Sequence, residues 1–484
     1  MIDGLKPYPT YKDSRVAWVG EVPAHWEVSK VKNLARPGYK TFVDGDWIES
    51  PYITDDGIRL IQTGNIGVGA YREKGFRYIS ARTFDAFACT EFQPGEVLIC
   101  RLGEPVGRAC LAPDLHVRMI TSVDVCILKP RRDVLGAFVV YAMSSPQYLD
   151  WVNSLVRGST RDRVSRTMLG SFTVPLPPPP EQTAIVRFLD YADRRIRRYI
   201  GAKRNLIALL NEQKQATIQH AVTRGLDPHV RLEPSGLEWL GEVPEHWEMS
   251  PAKYFYRETD ERSGTGEEEL LSVSHITGVT PRSQKSITMF MASSYVDHKL
   301  CKPGDLVINT MWAWMGALGV AKEAGMVSPS YGVYRPLKSS RSKLLGDYAD
   351  LLLRTRPYIN EYTCRSTGIR SSRLRLYPDQ FLSIKLLCPP IEEQRIILDH
   401  VAAETSATER AIASAQREID LFREYRSRLI ADLVTGKFDV REAAAGLPGE
   451  TQGSEPVEDL DAVTDGHEDI EEMDPDAAAE EAEA

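Results

Sequence analysis

Long apolar runs are missing from this sequence: no stretch reaches the roughly 18 uninterrupted apolar residues that a membrane span requires. The opening residues, Met1 to Arg15, hold no apolar core of the kind that marks a secretory signal. Cysteine is scarce: seven residues in 484, at positions 89, 100, 110, 126, 301, 364 and 388, never spaced as C-x-x-C. That argues against a disulfide framework or a structural zinc and predicts buried, reduced thiols acting as small hydrophobes. These absences together predict a cytoplasmic chain without a membrane partner.

The signatures of autonomous chemistry are missing too. No G-x-x-x-x-G-K-[ST], N-P-P-[YF] or H-E-x-x-H occurs, which argues against a P-loop motor, an amino-methyltransferase and a zincin. Gly64 to Gly69 reads G-x-x-G-x-G with no long helix pattern after it, so a turn is expected rather than a dinucleotide cradle. Pro378-Asp379 with Lys385 has the outline of a nuclease core, but Ser383 stands where the second carboxylate should be and a metal would lack ligands. His25 and His246, each beside a Trp, read as packed structural imidazoles. The chain is therefore expected to be no enzyme, with no catalytic, metal or cofactor residues of its own.

Positive charge is in deficit overall, yet only because of one end. The formal charge is −9, but Glu442–Ala484 carries 16 acidic residues and no Lys or Arg. The remaining 441 residues hold 59 basic against 52 acidic side chains, a balance of +7. A mildly basic body permits a polyanionic partner without demanding one. The tail, with few aliphatics, is expected to be disordered, either inert or a mimic of phosphate.

What is present in abundance is repetition. Trp18–Glu27 reads WVGEVPAHWE and Trp239–Glu248 reads WLGEVPEHWE, eight of ten identical at an offset of 221. A second correspondence runs at 212: Glu181 with Glu393, Thr223 with Thr435, Asp227 with Asp439. Between these landmarks, Glu181–Val222 has no Pro and one Gly, and Glu393–Val434 has neither, so each predicts a helix of about 63 Å. A 4-3 ladder from Ile185 runs through Leu189, Ala192, Ile196, Tyr199, Lys203, Leu206, Leu210, Gln213, Thr217 and His220. Shifted by 212 it runs from Ile397 through Val401, Glu404, Thr408, Ala411, Ala415, Glu418, Phe422, Tyr425 and Leu429 to Asp432. Seven of eleven positions are apolar in each, which predicts a two-helix coiled coil of undetermined direction.

Ahead of the helices stand proline runs, Pro175–Pro180 and Pro389-Pro390, read as stiff polyproline hinges that place Pro180 and the acidic Glu181, Glu392 and Glu393 at favourable N-terminal positions. Upstream of each hinge, short strands are expected at Arg59–Gln62, Glu96–Cys100 and Val123–Leu128, then at Leu270–Val273 and Asp305–Ile308, with turns at Pro94-Gly95-Glu96 and Pro303-Gly304-Asp305. Helices are expected at Val134–Ser144 and Leu344–Arg354. The fold class is α+β: two similar mixed α/β domains separated by two long helices packed as a coiled coil, a pseudo-two-fold internal repeat. The expected divisions are a leader at 1–12, domains at 13–178 and 225–388, hinge plus helix at 179–224 and 389–440, and the acidic tail at 441–484.

Arginine clusters carry the functional signal. Arg157–Arg166 holds four Arg and one Asp, and Arg365–Arg375 holds four Arg and no acid, with Arg161 matching Arg373 and Arg163 matching Arg375 at 212. Forked donors among small hydroxyls and glycines suit phosphates and base edges. The candidate DNA-binding residues are Arg157, Thr160, Arg161, Arg163 and Arg166 in the first copy and Arg370, Ser372, Arg373 and Arg375 in the second. Arg194–Arg198, on the first long helix, reads equally as a solvated face or a backbone contact. Trp312 and Trp314 read as core, with base stacking as the alternative.

With these residues in hand, the chain resembles the specificity (S) subunit of type I restriction–modification systems. The doubled W-x-G-E-V-P-x-H-W-E, the P-P-x-x-E-Q hinges, Leu60–Ile66 and the G-E/D strands at 95 and 304 carry the resemblance, which covers about residues 13–440. The second copy departs from the pattern at Leu271–Ile276. The resemblance implies two target-recognition domains reading the halves of a bipartite, asymmetric DNA site. It also implies long helices that act as a ruler and dock methyltransferase (M) subunits, two of them, and restriction (R) subunits as further partners. S-adenosylmethionine, ATP and Mg would then belong to those partners, not to this chain. The alternatives are a single-chain restriction or methylation enzyme with unrecognised motifs, and a coiled-coil scaffold unrelated to DNA.

Overall fold

The computed structural model describes residues 5–156, 162–284, 294–340, 343–368 and 374–448. It divides into two units, one built from residues up to Lys203 together with the described residues from Arg417, the other from Arg204 to Gln416. Among the described residues no helix is long and apolar enough to cross a membrane.

The repeat is the organising fact of both units. In the first, Tyr11–Asp13 pairs with Glu21–Pro23, and Glu27–Lys30 pairs antiparallel with Thr173–Leu176. In the second, Leu232–Pro234 pairs with Glu242–Pro244, and Glu248–Pro251 pairs with Lys385–Cys388. The motif that opens each copy is thus stitched to the strand that precedes its helix. This revises the first hinge: Pro175 and Leu176 at the start of its proline run are strand, possible because they lie in a two-stranded edge pair where a missing N–H is tolerated.

Each unit then contains a four-stranded antiparallel sheet of one design. In the first it is ordered Phe42–Asp44, Val125–Leu128, Val97–Cys100, Ala109–Leu111; in the second Tyr256–Thr259, Gly332–Pro336, Leu306–Ile308, Leu318–Val320. The expected turns ahead of the central strands are present: Gly95 and Gly304 have φ of +83° and +91°, and the Gln93 and Lys302 N–H groups donate to Glu96 and Asp305. Beside this sheet the copies diverge. The first adds a second four-stranded sheet, with Met119–Thr121 parallel to Ile58–Ile61. The second has two separate antiparallel pairs, the hairpin of Leu271–Ser274 with Gly278–Pro281 and the non-consecutive pair of Lys299–Cys301 with Gly325–Val327.

The expected helices appear as Gly136–Met143 and Gly346–Leu353. Each is followed by one that was not expected, Pro146–Val156 and Arg356–Arg365. Their tyrosines carry the packing. Tyr148 meets Trp18 edge-on at 5.4 Å and Tyr358 meets Trp239 at 5.0 Å, so the first Trp of each motif is anchored on an equivalent ring.

The long helices span Pro179–Arg224 and Ile391–Val434 and pack together in antiparallel fashion. In the first unit Arg426 binds Asp193, Phe422 stacks on Tyr199 at 5.6 Å, and Lys203 pairs with Glu418 at 2.8 Å. In the second unit Lys214 pairs with Glu409 at 2.6 Å. The seam differs from the ladder expected. It follows Ile185, Leu189, Ala192 and Ile196, then steps to Ile200, Ile207 and Ala221, while Tyr199, Leu206, Gln213 and His220 are exposed. On the partner helix Thr405, Ala415 and Ile419 face inward while Glu404 and Ala411 are exposed. A straight helix has 3.6 residues per turn, so a strict 3.5 ladder drifts off the seam within a few turns.

The segment after the second helix also differs from expectation. Arg441–Ala445 forms a short helix, with Val440 and Ala444 buried and the Leu447 carbonyl accepting from Arg187 at 2.8 Å. The expected disordered tail therefore does not begin at 441; positions 449–484 lie outside the described residues.

Candidate nucleic-acid interface

In the first unit the central strand Val97–Cys100 runs on through Arg101-Leu102-Gly103, and the returning segment Asp162-Arg163-Val164 pairs with it. Leu102 bridges Arg163, Gly103 N–H donates to Asp162 O at 3.1 Å, and Val164 N–H donates to Arg101 O at 3.0 Å. Ser165 then caps the helix Arg166–Ser171, its Oγ accepting from Met168 N–H. Local sequence dictates this: a Ser before a helical run supplies the acceptor that the first turn lacks. Arg163 consequently sits on a strand-like ladder and Arg166 at a helix start.

Two carboxylates meet these arginines. Arg163 pairs with Asp124 at 2.7 Å and Arg166 with Asp44 at 3.7 Å. Beneath them lies Arg101, only 5% exposed. Its guanidinium ion-pairs with Asp44 at 3.0 Å and donates to Val123 O at 2.6 Å and Val164 O at 3.2 Å. Asp44, Arg101, Arg163 and Arg166 line an open cleft of about 550 Å³. Asp124 lines a second cleft, of about 430 Å³, together with Asn65, Lys74 and Arg77. That second cleft includes the G-x-x-G-x-G segment as a turn, held by Asn65 accepting from Gln62 N–H and donating to the Arg72 and Lys74 carbonyls.

The second unit repeats the backbone and changes the side chains. Arg375 bridges Thr367, and Leu376 N–H donates to Thr310 O at 2.9 Å, as Val164 does to Arg101. Thr310 thus stands where the first unit has Arg101. Cys126 pairs with Ile99 and Gly332 pairs with Ile308, which puts Ser330 at the register of Asp124. Arg375 accordingly rests on the Met311 sulfur at 3.6 Å. Next to it Trp312 and Trp314 stack at 5.8 Å on a short 3-10 turn, both half-buried. They are not the core residues expected; Ala313 between them is. Trp312 lines a small recess with Ser274, His275 and Asn309.

Of the nine arginine-cluster candidates, the structure brings Arg163 and Arg166 into one cleft and puts Arg375 at the matching place in the other unit. Arg157, Thr160, Arg161, Arg370, Ser372 and Arg373 lie outside the described residues. Asp44, Asp124 and Arg101 went unread because their partners are distant in sequence. The one available signal was a charged residue, Arg101, directly following a fully buried strand. On the first long helix, Arg197 is tied to Asp193 at 2.6 Å and Arg195 lies against Tyr191 and Tyr199.

The repeated histidines are not packed in the core. His25 Nε2 lies 2.8 Å from Glu181 and His246 Nε2 lies 2.8 Å from Glu393, each ring about half exposed. Trp26 and Trp247 donate their indole N–H to the same carboxylates at 2.9 and 3.1 Å. The next residue is equally regular. Gln182 accepts from Leu135 N–H and donates to the Asp133 and Pro177 carbonyls; Gln394 accepts from Leu345 N–H and donates to Lys343 and Pro389. The doubled motif and the E-Q of the hinge are thus two halves of one joint, fixing each domain to the start of its helix. Six of seven cysteines are buried, Cys364 alone being exposed, and burial pushes the Cys89, Cys301 and Cys388 thiols up to about 11. Among the described residues no three His, Cys, Asp or Glu side chains gather as metal ligands.

The described residues thus form a doubled α+β unit with paired long helices, with Arg163 and Arg375 at matching places in the two copies. The family model described as type I restriction modification DNA specificity domain matches residues 49–207. The chain is 22% identical over 252 residues to a putative type I restriction enzyme MjaX specificity subunit of Methanocaldococcus jannaschii, covering 49% of this chain and 55% of that one. It is 22% identical over 306 residues to the MjaVIII specificity subunit of the same organism, covering 60% and 68%. The match therefore spans little more than half the length of the first relative. Its fold is similar to a chain solved in a study of complex assembly and conformational transition of the type I R-M system, with TM-score 0.57, 15% identity and coverage of 86% and 99%. Residues 49–207 thus match a type I restriction modification DNA specificity domain, and the chain is similar over about half to three fifths of its length to specificity subunits of those systems.

Proposed function

We propose that the chain reads a bipartite, asymmetric site in double-stranded DNA, residues 13–178 reading one half and residues 225–388 the other. The observation that supports this most directly is the twin placement of Arg163 and Arg375, each on the segment that pairs with the end of its unit's central strand. Arginine there has the forked donor geometry for guanine or phosphate. The remaining candidates, from Arg157 to Arg161 and from Arg370 to Arg373, immediately precede those positions in sequence. The long helices dock two methyltransferase subunits and set the gap between half-sites, since two readers on one DNA face must sit about one helical turn apart or a multiple of it. Restriction subunits join the same assembly. S-adenosylmethionine, ATP and Mg act on those partners, in the cytoplasm where the DNA lies.

The test is co-expression with the methyltransferase subunit of the same system, followed by genome-wide mapping of methylated adenines. A two-part motif with a fixed gap is expected; modification without such a motif contradicts the reading. Insertion of one or two helical turns into both long helices should lengthen the gap, and an unaltered gap would sink the ruler role.

A further inference from the structure

Carboxylates in a cleft meant for DNA need an explanation. A cleft that merely held the backbone would be lined by cations alone, because an Asp facing a phosphate is repelled by it. In the first unit Arg163 and Arg166 are matched by acids, Asp124 and Asp44, and this pairing is built rather than incidental. The buried Arg101 binds the carbonyls of Val123 and Val164, the residues beside Asp124 and Arg163. One guanidinium therefore ties together the two backbone segments that carry the pair. Such fixing lowers the entropy that binding would otherwise cost, and sets the direction in which Arg163 points.

Acid and base side by side match the edge of a single kind of base pair. In the major groove guanine offers two acceptors, N7 and O6, to the fork of an arginine, while the cytosine amino group is a donor that a carboxylate accepts. Arg163 engages Asp124 through Nη2 and Oδ1; Arg163 lines the first cleft and Asp124 the second.

We propose that Arg163 and Asp124 are the specificity-determining pair of the first unit and read one G·C base pair, with Arg101 as a positioning residue. This rests on the reading of the chain as a DNA specificity subunit. The second unit has no such pair at this register, since Ser330 and Thr310 replace Asp124 and Arg101 and Arg375 leans on Met311. The two half-sites are therefore read by different chemistry at equivalent places.

The experiment uses the purified complex of this chain with its methyltransferase subunits and a set of duplexes. Each duplex replaces one base pair of the methylated motif. The wild-type complex should reject replacement of one G·C pair in one half-site by about 10- to 100-fold. Asp124→Asn and Arg163→Ala should each reduce that penalty to about threefold or less, leaving the penalties at all other pairs as they were, and Arg375→Ala should leave it intact. The readout is a ratio between duplexes for one preparation, so a partly inactive preparation does not alter it. The proposal is overturned if affinity falls equally on every duplex, if every penalty is unchanged, or if the relaxed pair is A·T. A wild-type complex with no two-part motif would overturn this and the functional reading together, whereas a two-part motif read without this pair would overturn the pair alone.

Discussion

The joint between domain and helix is made twice, and the two versions differ in how many groups share one carboxylate. Glu393 takes His246 and Trp247, with its side chain 28% exposed. Glu181 takes His25, Trp26 and the Tyr8 hydroxyl, lies 3.6 Å from Arg441, and is 6% exposed. Burial pushes the Tyr8 phenol far up, with the neighbouring Glu181 charge adding to it, so it keeps the proton it donates to Glu181. The reason lies in connectivity. In the second unit the chain passes directly from the first long helix through Gly225 into the strand at Leu232. In the first unit the same place is filled by two separate segments that must find each other: Asp439 N–H donates to Lys6 O at 2.8 Å, and Tyr11 donates to Lys437 O at 3.0 Å. What a peptide bond does in one copy, a denser polar cluster does in the other.

The largest expected effect tests that difference. Glu181→Ala leaves a buried indole N–H and a buried hydroxyl without an acceptor, each costing about 1–3 kcal/mol, so a loss of about 3–4 kcal/mol is expected in urea unfolding of the first unit. Glu393→Ala should cost about half as much, because its ring partner and its own oxygens reach water. Equal losses would break the comparison.

A second contrast sits at the helix ends. Gly225 and Gly436 both have φ of +77°, the left-handed turn that ends a helix on glycine. A Cβ on Gly225 would touch Trp247 and Glu393 at 3.3 Å, whereas one on Gly436 would collide with Pro23 and Trp26. Gly225→Ala should cost about 1 kcal/mol, the strain of the backbone region alone, and Gly436→Ala about 2–3 kcal/mol through added overlap. Thermal unfolding of the two variants side by side checks the order.

How far the sequence anticipated this can be argued from the same residues. The repeat, both long helices and the central strands were legible because each rests on a local signal: a doubled ten-residue motif, a span without proline, a run of apolar residues after a Pro-Gly turn. The helix seam was legible only at its start, at Ile185 through Ile196, since small errors in period accumulate along 40 residues. At the site, Arg163, Arg166 and Arg375 stood out as clustered arginines. Asp124, Asp44 and Arg101 did not, because a contact such as Arg163 to Asp124 spans dozens of residues and leaves no local pattern. The divergence at Leu271–Ile276 was visible as a departure from the motif, but its form, a lone hairpin in place of a four-stranded sheet, depends on strand partners that sequence spacing does not name.

The last and smallest contrast concerns the helix pair. In the first unit Asp193 is bound by Arg426 and Arg197, with its side chain 18% exposed. Burial by itself would raise its pKa, but the two guanidinium charges outweigh it and hold the carboxyl below its usual 3.8. A carboxylate depressed on folding contributes stability that is complete above its unfolded value and fades as pH falls through and below it. Asp193→Asn should therefore cost about 1–2 kcal/mol at pH 7, and the gap from the parent chain should close as the pH drops below about 4. In the second unit Lys214 and Glu409 form the matching cross-helix pair, but Glu409 is 55% exposed, and solvent screening limits such a pair to about 0.5 kcal/mol or less. Urea titrations of Asp193→Asn and Glu409→Gln at pH 7 and pH 3.5 separate the cases. A pH-dependent loss confined to the Asp193 variant is expected, and one of equal size in both would show that burial at this end of the helix pair does not strengthen its ion pairs.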